Sequence, residues 1–214
     1  SINDPEFTAV VNPNNKYKIP TIVNYWAPKF GLDPYIVFMC ICGESRGNPT
    51  SATAYSGGGY GLMQCERSVY FNKKQTITFI DGSTKTFTPS YSTMQPNKGG
   101  TTTVNGVVVD KNISNQIMFG CHELRYSADW CHYNIFAMLI GNNMGIGAAA
   151  WIVNKYVAEK YGFTFKNSYL NFYSLPTAYR TKCYEVLESG TGDFASYRKD
   201  WVAYRNSIGK PAGT

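Results

Sequence analysis

The hydrophobic positions change their period twice along the chain. From about 20 to 30 they recur at helical spacing, which predicts a first helix that starts near Pro20 and stops before Gly31. Asp33 then reads as an N-cap with Pro34 at the first helical position, and residues 35–44 are apolar on nearly all sides, the pattern of a helix in the centre of a domain. Gly47, Asn48 and Pro49 end it, and 51–61 is a Ser, Ala and Gly loop running through Gly57-Gly58-Gly59. Beyond Gln64 the pattern turns to β. Strands over 76–80 and 84–88 about Asp81-Gly82, and over 101–104 and 107–110 about Asn105-Gly106, predict two hairpins. From about 113 the helical period returns, with helices expected near 113–129, 133–141, 146–161, 176–189 and 193–207. There is no internal repeat. The organisation predicted is an extended lead over 1–18, one α+β, mostly helical domain over 19–208 with a β-rich insertion at about 66–110, and a tail over 209–214.

Composition narrows this picture. Of 214 residues 43% are hydrophobic, enough for one sizeable core but short for two comfortable domains. Twenty Lys and Arg against 14 Asp and Glu leave a formal charge of +6, which favours polyanionic partners such as bacterial walls, nucleic acids or anionic membranes. No basic run and no basic helix interleaved with aromatics is present, so nucleic acid drops out of the expected partners. No stretch of about 18 apolar residues offers a transmembrane segment. The start, Ser1-Ile2-Asn3-Asp4-Pro5, lacks the charged and apolar regions of a signal peptide, but a mature chain would have lost one, so export stays open.

The six cysteines permit disulfides without requiring them; Cys40 and Cys42 sit in an apolar run, and reduced core thiols are expected. Cys121-His122 and Cys131-His132 have the residue types of metal ligands. Ten residues apart on one helix, however, they fall on different faces, so no metal is expected.

The chemistry concentrates at Glu44. It ends the most apolar helix, and Val37, Cys40 and Ile41, at seven, four and three residues before it, share its face. A carboxyl in that setting is partly desolvated, which favours its protonated form and suits a general acid.

Glu44-Ser45, then Gly47-Asn48-Pro49, then Gly61-Leu62-Met63-Gln64 after a Gly-rich approach resembles the paired signature of the lytic transglycosylase and goose-type lysozyme superfamily: Glu-Ser, followed roughly twenty residues later by Gly-Leu-Met-Gln. Further on, Gln116-Ile117 with Gly120 and Leu124 resembles that family's helix bearing Asn-Ile, a Gly and Tyr-Leu, with Gln116 in place of the Asn and Glu123 of the Tyr. Gly141-Asn142-Asn143-Met144-Gly145 is similar to its Ala-Tyr-Asn-x-Gly word, Asn143 matching the Asn. Tyr179 stands as a counterpart of its C-terminal site tyrosine. The resemblance covers about 20–190, less the region 65–110, for which there is no correspondence.

What the resemblance implies is a lysozyme-like fold, with the β-hairpin lobe inserted after the catalytic helix, and a muramidase that cleaves the MurNAc-(β1,4)-GlcNAc bond of bacterial peptidoglycan without a cofactor. Glu44 would be acid and base, Ser45 and Gln64 would hydrogen-bond around it, and Met63 and Asn143 would line the sugar site. Asn142 stands where the family has Tyr, leaving Tyr60 or Tyr179 to supply a ring. In lytic transglycosylases the muramic 6-hydroxyl attacks its own anomeric carbon and no second carboxylate is needed; a hydrolytic goose-type enzyme uses water. The candidates for a second carboxylate are Glu66, Asp81 and Asp110, near the β lobe.

Other classes remain open at this point. A non-catalytic glycan-binding module would keep the groove without cutting; a cysteine peptidase would need a Cys activated by His122 or His132, and neither neighbours a Gly-rich nucleophile turn. The family's members occur as secreted wall-remodelling enzymes, secretion-system wall openers and bacteriophage lysins. The place of action expected is the bacterial wall, reached by secretion, release at phage lysis or carriage on a virion, and the chain is taken as a monomer.

Overall fold

Two consecutive helices each carry a proline in their first turn. Helix α1 (Ile19–Lys29) carries a Pro in its first turn and ends before Gly31, whose φ of 67° is a left-handed value that glycine adopts without strain. It buries Ile19, Ile22, Val23, Trp26 and Ala27. Helix α2 (Pro34–Ser45) starts as its sequence predicts: Pro34 lies in the first turn, and the Asp33 carboxylate accepts a hydrogen bond from the Tyr35 backbone N–H at 3.0 Å. Ile36, Val37, Met39, Cys40 and Ile41 are all buried. The computed structural model describes residues 9–131, 135–153, 155, 183, 186 and 192–210.

After α2 the chain is largely irregular and β. Strands β1 (Gly59–Tyr60) and β2 (Cys65–Glu66) pair antiparallel, followed by the short α3 (Arg67–Tyr70). The hairpin β3 (Gln75–Thr78) and β4 (Thr84–Phe87) closes around Asp81-Gly82, with Phe79 and Gly82 N–H groups donating to Ser83 and Phe79 carbonyls. After α4 (Tyr91–Met94) comes β5 (Thr101–Val104) with β6 (Val107–Asp110). Here Asn105 and Gly106 take φ values of 48° and 78°, positive at both central positions as a two-residue I′ turn requires. Both predicted hairpins are present. The β1–β2 pair was not foreseen, because strands of two residues carry no readable alternation. Where an extended lead was expected before residue 19, residues 9–11 are helical and turns follow.

Helix α5 (Lys111–Trp130) begins at a carboxylate cap: Asp110 Oδ1 accepts from the Ile113 N–H at 2.9 Å. The molecule is thus mixed α+β, with helices and small antiparallel hairpins. It forms two compact units, Ser1–His122 and Glu123–Thr214. The boundary falls inside α5 rather than in a Gly- or Pro-rich linker, so the one-domain organisation over 19–208 drawn from the sequence contained no sign of it.

The second unit contains α6 (Ile135–Met144), α7 (Ile146–Ile152) and α8 (Gly192–Ser207). Gly145, with φ of 93°, makes the turn between α6 and α7. Helix α8 meets α7 through rings: Trp151 stacks on Tyr204 at 5.3 Å and tilts against Trp201 at 5.7 Å. The helix expected over 176–189 lies outside the described residues apart from Cys183 and Val186, both buried.

All six cysteines are thiols, and all but the half-buried Cys42 are buried. Burial pushes the Cys131 thiol up to about 11 and those of Cys121 and Cys183 further still, which keeps them protonated and poorly nucleophilic. Among the described residues no helix is long and apolar enough to cross a membrane.

Candidate active site

Glu44 occupies the last turn of α2 and is half-buried. Val37, Cys40 and Ile41, which share its face by helical spacing, are at most 1% exposed. The helix ends at Ser45, after which Arg46 turns left-handed at φ 53° and Gly47 continues at φ 78°. Ser45 is itself buried, and its hydroxyl serves this exit: it donates to the Ile41 carbonyl at 3.0 Å and accepts from the Gly47 N–H at 3.2 Å. Asn48 makes the next turn, its side-chain oxygen accepting from the Thr50 N–H at 3.0 Å. Gly47 and Asn48 therefore each have a separate geometric task in the exit from the helix.

The Gly61-Leu62-Met63-Gln64 segment is bound back onto this exit. Gly61 N–H donates to the Ser51 carbonyl at 2.8 Å. Gln64, itself left-handed at φ 53°, donates from Nε2 to the carbonyls of Ser51 at 3.0 Å and Gly61 at 2.9 Å. Gly59 is obligatory beside it, since a Cβ there would lie 2.8 Å from Gln64 Cβ. Met63 packs on α5 where Gly120 leaves space; a Cβ at Gly120 would come within 2.7 Å of Met63 Cβ. The Gly-Leu-Met-Gln segment is thus hydrogen-bonded to Ser51 in the loop that follows Ser45.

A buried carboxamide on α5 fastens the arrangement. Gln116, 2% exposed, accepts from the Leu62 N–H at 2.7 Å and donates from Nε2 to the Pro49 carbonyl at 2.9 Å and the Met94 carbonyl at 2.7 Å. One side chain therefore ties the loop after Glu44, the Gly-Leu-Met-Gln segment and α4 to the same helix. Gly61 makes room for it, as a Cβ there would lie 2.6 Å from Gln116 Cδ. Asn112 and Asn115 add to the clamp, donating to the carbonyls of Ser92, Gln95 and Thr93. The sequence carried the signal, three carboxamides at i, i+3 and i+4, but such a face normally reads as solvated.

Arg67 organises the glycine-rich approach. It donates to the carbonyls of Gly58 at 2.8 Å, Thr53 at 3.0 Å and Tyr55 at 2.8 Å, and to the Tyr91 hydroxyl at 3.0 Å. Tyr60 is only 6% exposed and sits edge-on to Phe71 and Tyr91, and burial raises its phenol above its ordinary value.

The three candidates for a second carboxylate lie at different places in the fold. Glu66, half-exposed on β2, accepts from the Tyr55 hydroxyl at 3.1 Å. Asp81 is exposed in the β3–β4 turn, where its Oδ1 accepts from both the N–H and the hydroxyl of Ser83; those bonds hold its carboxyl below the usual range. Asp110 uses both oxygens, one for the α5 cap and the other to accept from the Asn97 N–H at 2.7 Å.

Asn143 belongs to the second unit, half-buried in the last turn of α6. Tyr179 lies outside the described residues. His122 is half-buried against Phe30 and Phe119, and burial lowers its pKa below 6.5. Among the described residues no three His, Cys, Asp or Glu side chains form a group that could hold a metal. No protein-family model, no curated protein and no solved structure matches this chain.

Proposed function

We propose that the chain is a peptidoglycan-cleaving muramidase acting on the MurNAc-(β1,4)-GlcNAc bond, with Glu44 as its acid, and that it releases 1,6-anhydro-muramic products as a lytic transglycosylase does. The observation that carries this is the half-buried Glu44 at the end of an apolar helix, followed by a loop that Ser51, Gln64 and Gln116 bind to the Gly-Leu-Met-Gln segment. A half-buried carboxyl beside a hydrogen-bonded support suits proton transfer to a glycosidic oxygen.

In that reaction the Glu44 proton passes to the bridging oxygen as the anomeric carbon–oxygen bond breaks, and the leaving sugar departs with a free hydroxyl. The muramic N-acetyl carbonyl supports the positive charge at the anomeric carbon. The 6-hydroxyl then attacks that carbon and returns its proton to the Glu44 carboxylate, closing the anhydro ring and restoring the acid. No water and no cofactor enter. The local engagement of Glu66, Asp81 and Asp110 with their own turns and cap favours this one-carboxylate route over a goose-type hydrolysis.

The direct test is turbidity of purified bacterial walls. Glu44→Gln keeps the shape and removes the transferable proton, so lysis falls by about 10² to 10⁴ while the circular dichroism spectrum is kept. A variant retaining more than about a tenth of wild-type lysis removes Glu44 from the role of acid. Wild-type protein that binds walls without clearing them would instead be a glycan-binding module.

A further inference from the structure

The first unit holds a cavity away from the Glu44 exit, between the C-terminal end of α1 and the tip of the β3–β4 hairpin. Its volume is about 550 Å³, within the range of small-molecule sites. Tyr25, Trp26 and Lys29 form one wall, and Phe79, Asp81 and Lys85 contribute to the other.

The walls are held rigidly. Trp26 stacks on Phe79 at 6.0 Å with an interplanar angle of 12°, and its indole N–H donates to Ser114 Oγ at 2.9 Å. The hairpin tip is pinned to α1 by the Ile80 N–H donating to the Lys29 carbonyl at 2.8 Å. Ile80 nevertheless leaves 59% of its surface in water at the rim, an apolar contact offered outward.

The charges choose the ligand. Lys29 and Lys85 bring two positive groups to the lining, while the one acidic residue, Asp81, is engaged by Ser83 and lies close enough to Lys29 to be influenced by it. The Lys29 ammonium sits over the Tyr25 ring, 4.7 Å from its centroid. Trp26 is nearly covered, at 9% exposure. An aromatic lining that carries two lysines and an exposed isoleucine suits a carboxylate attached to a small apolar body.

We propose that this cavity binds short peptides bearing free carboxylates, and that in the wall it takes the peptide stem carried by the muramic sugar. The second clause rests on the muramidase reading; the first does not. Both are tested with the 214-residue chain and N-acetyl-L-alanyl-D-glutamate, which has two carboxylates, an apolar methyl and no glycosidic bond, so its binding is independent of Glu44. In ¹H–¹⁵N spectra the dipeptide should shift the amides of Lys29, Ile80, Ser83 and Lys85 with a dissociation constant on the order of 1 mM. The doubly amidated dipeptide should not. Lys29→Glu with Lys85→Glu should weaken binding by about tenfold or more, with other amide positions unchanged. Wall lysis by that double variant should fall on walls with intact stems and be unchanged on glycan stripped of its peptides by an amidase. Equal shifts from the diamide, no shifts from either, or shifts of the same amides by chitotetraose alone overturn the peptide site while leaving the Glu44 assignment untouched. Binding of the dipeptide with equal losses on both walls overturns the stem assignment.

Discussion

Replacing Gln116 by Leu removes the clamp while nearly conserving volume, so its effect isolates the hydrogen bonds. Three are lost, to the Leu62 N–H, the Pro49 carbonyl and the Met94 carbonyl, and all three backbone partners belong to buried residues. A buried group left without its partner costs about 1 to 3 kcal/mol. Partial relaxation and water entry at the loop put the sum at about 3 to 6 kcal/mol, a large share of the roughly 5 to 15 kcal/mol that holds a domain together. Urea unfolding followed by tryptophan fluorescence reads the global loss, and amide exchange at Leu62 reads the local one, since its proton is the one Gln116 Oε1 holds. Gln116→Glu should cost at least as much at neutral pH, because a buried carboxylate still accepts from Leu62 but is desolvated and faces the Pro49 and Met94 carbonyl oxygens without a proton to donate. A Gln116→Leu variant that loses under about 1 kcal/mol, with the Leu62 amide still protected, refutes the clamp.

Three further outcomes follow from the geometry. Asp110→Asn keeps the helix cap but replaces the oxygen that accepts from the Asn97 N–H with a donor, so stability should fall by about 1 to 2 kcal/mol while wall lysis persists; a folded Asp110→Asn without lysis would make Asp110 the second carboxylate. Gln64→Ala should reduce lysis less than Glu44→Gln, because Gln64 Nε2 is engaged by the Ser51 and Gly61 carbonyls; an equal loss in a folded variant would assign Gln64 a direct role in the chemistry. Burial holds the His122 pKa below 6.5, so the unfolded chain binds the extra proton first: stability is complete above about pH 6.5 and declines as pH falls below it. Urea midpoints measured across that window should lose part of their slope in His122→Gln, and an unchanged slope would exclude His122 as its source.

Much of the fold was legible because its signals are local. Asp33-Pro34 opens α2, Gly31 and Gly47 end helices at positive φ, and Asn105-Gly106 turns a hairpin, each through the conformational preference of one or two residues. What could not be read depends on partners distant in sequence. Gln116 is polar and sits on a helix, and only the meeting of three chain segments around it makes burial favourable. The same holds for Ser45 and Gln64. The resemblance implied hydrogen bonding around the acid; the bonds seen run to backbone at the helix end and in the loop, which the linear pattern does not specify. The division within α5 was hidden for a related reason: helical periodicity is continuous across His122 and Glu123.

On the muramidase proposal this chain cuts the glycan strand through Glu44, and the soluble products of purified peptidoglycan report that cleavage. Wild-type protein should release disaccharide-peptides that weigh one water less than their hydrolytic counterparts and resist borohydride reduction, and Glu44→Gln should release none. Reducible muramic ends would replace the transglycosylase by a hydrolase with Glu44 still as acid. Digests without any cleaved glycan, or glycan cleaved equally well by the folded Glu44→Gln variant, would contradict the claim itself.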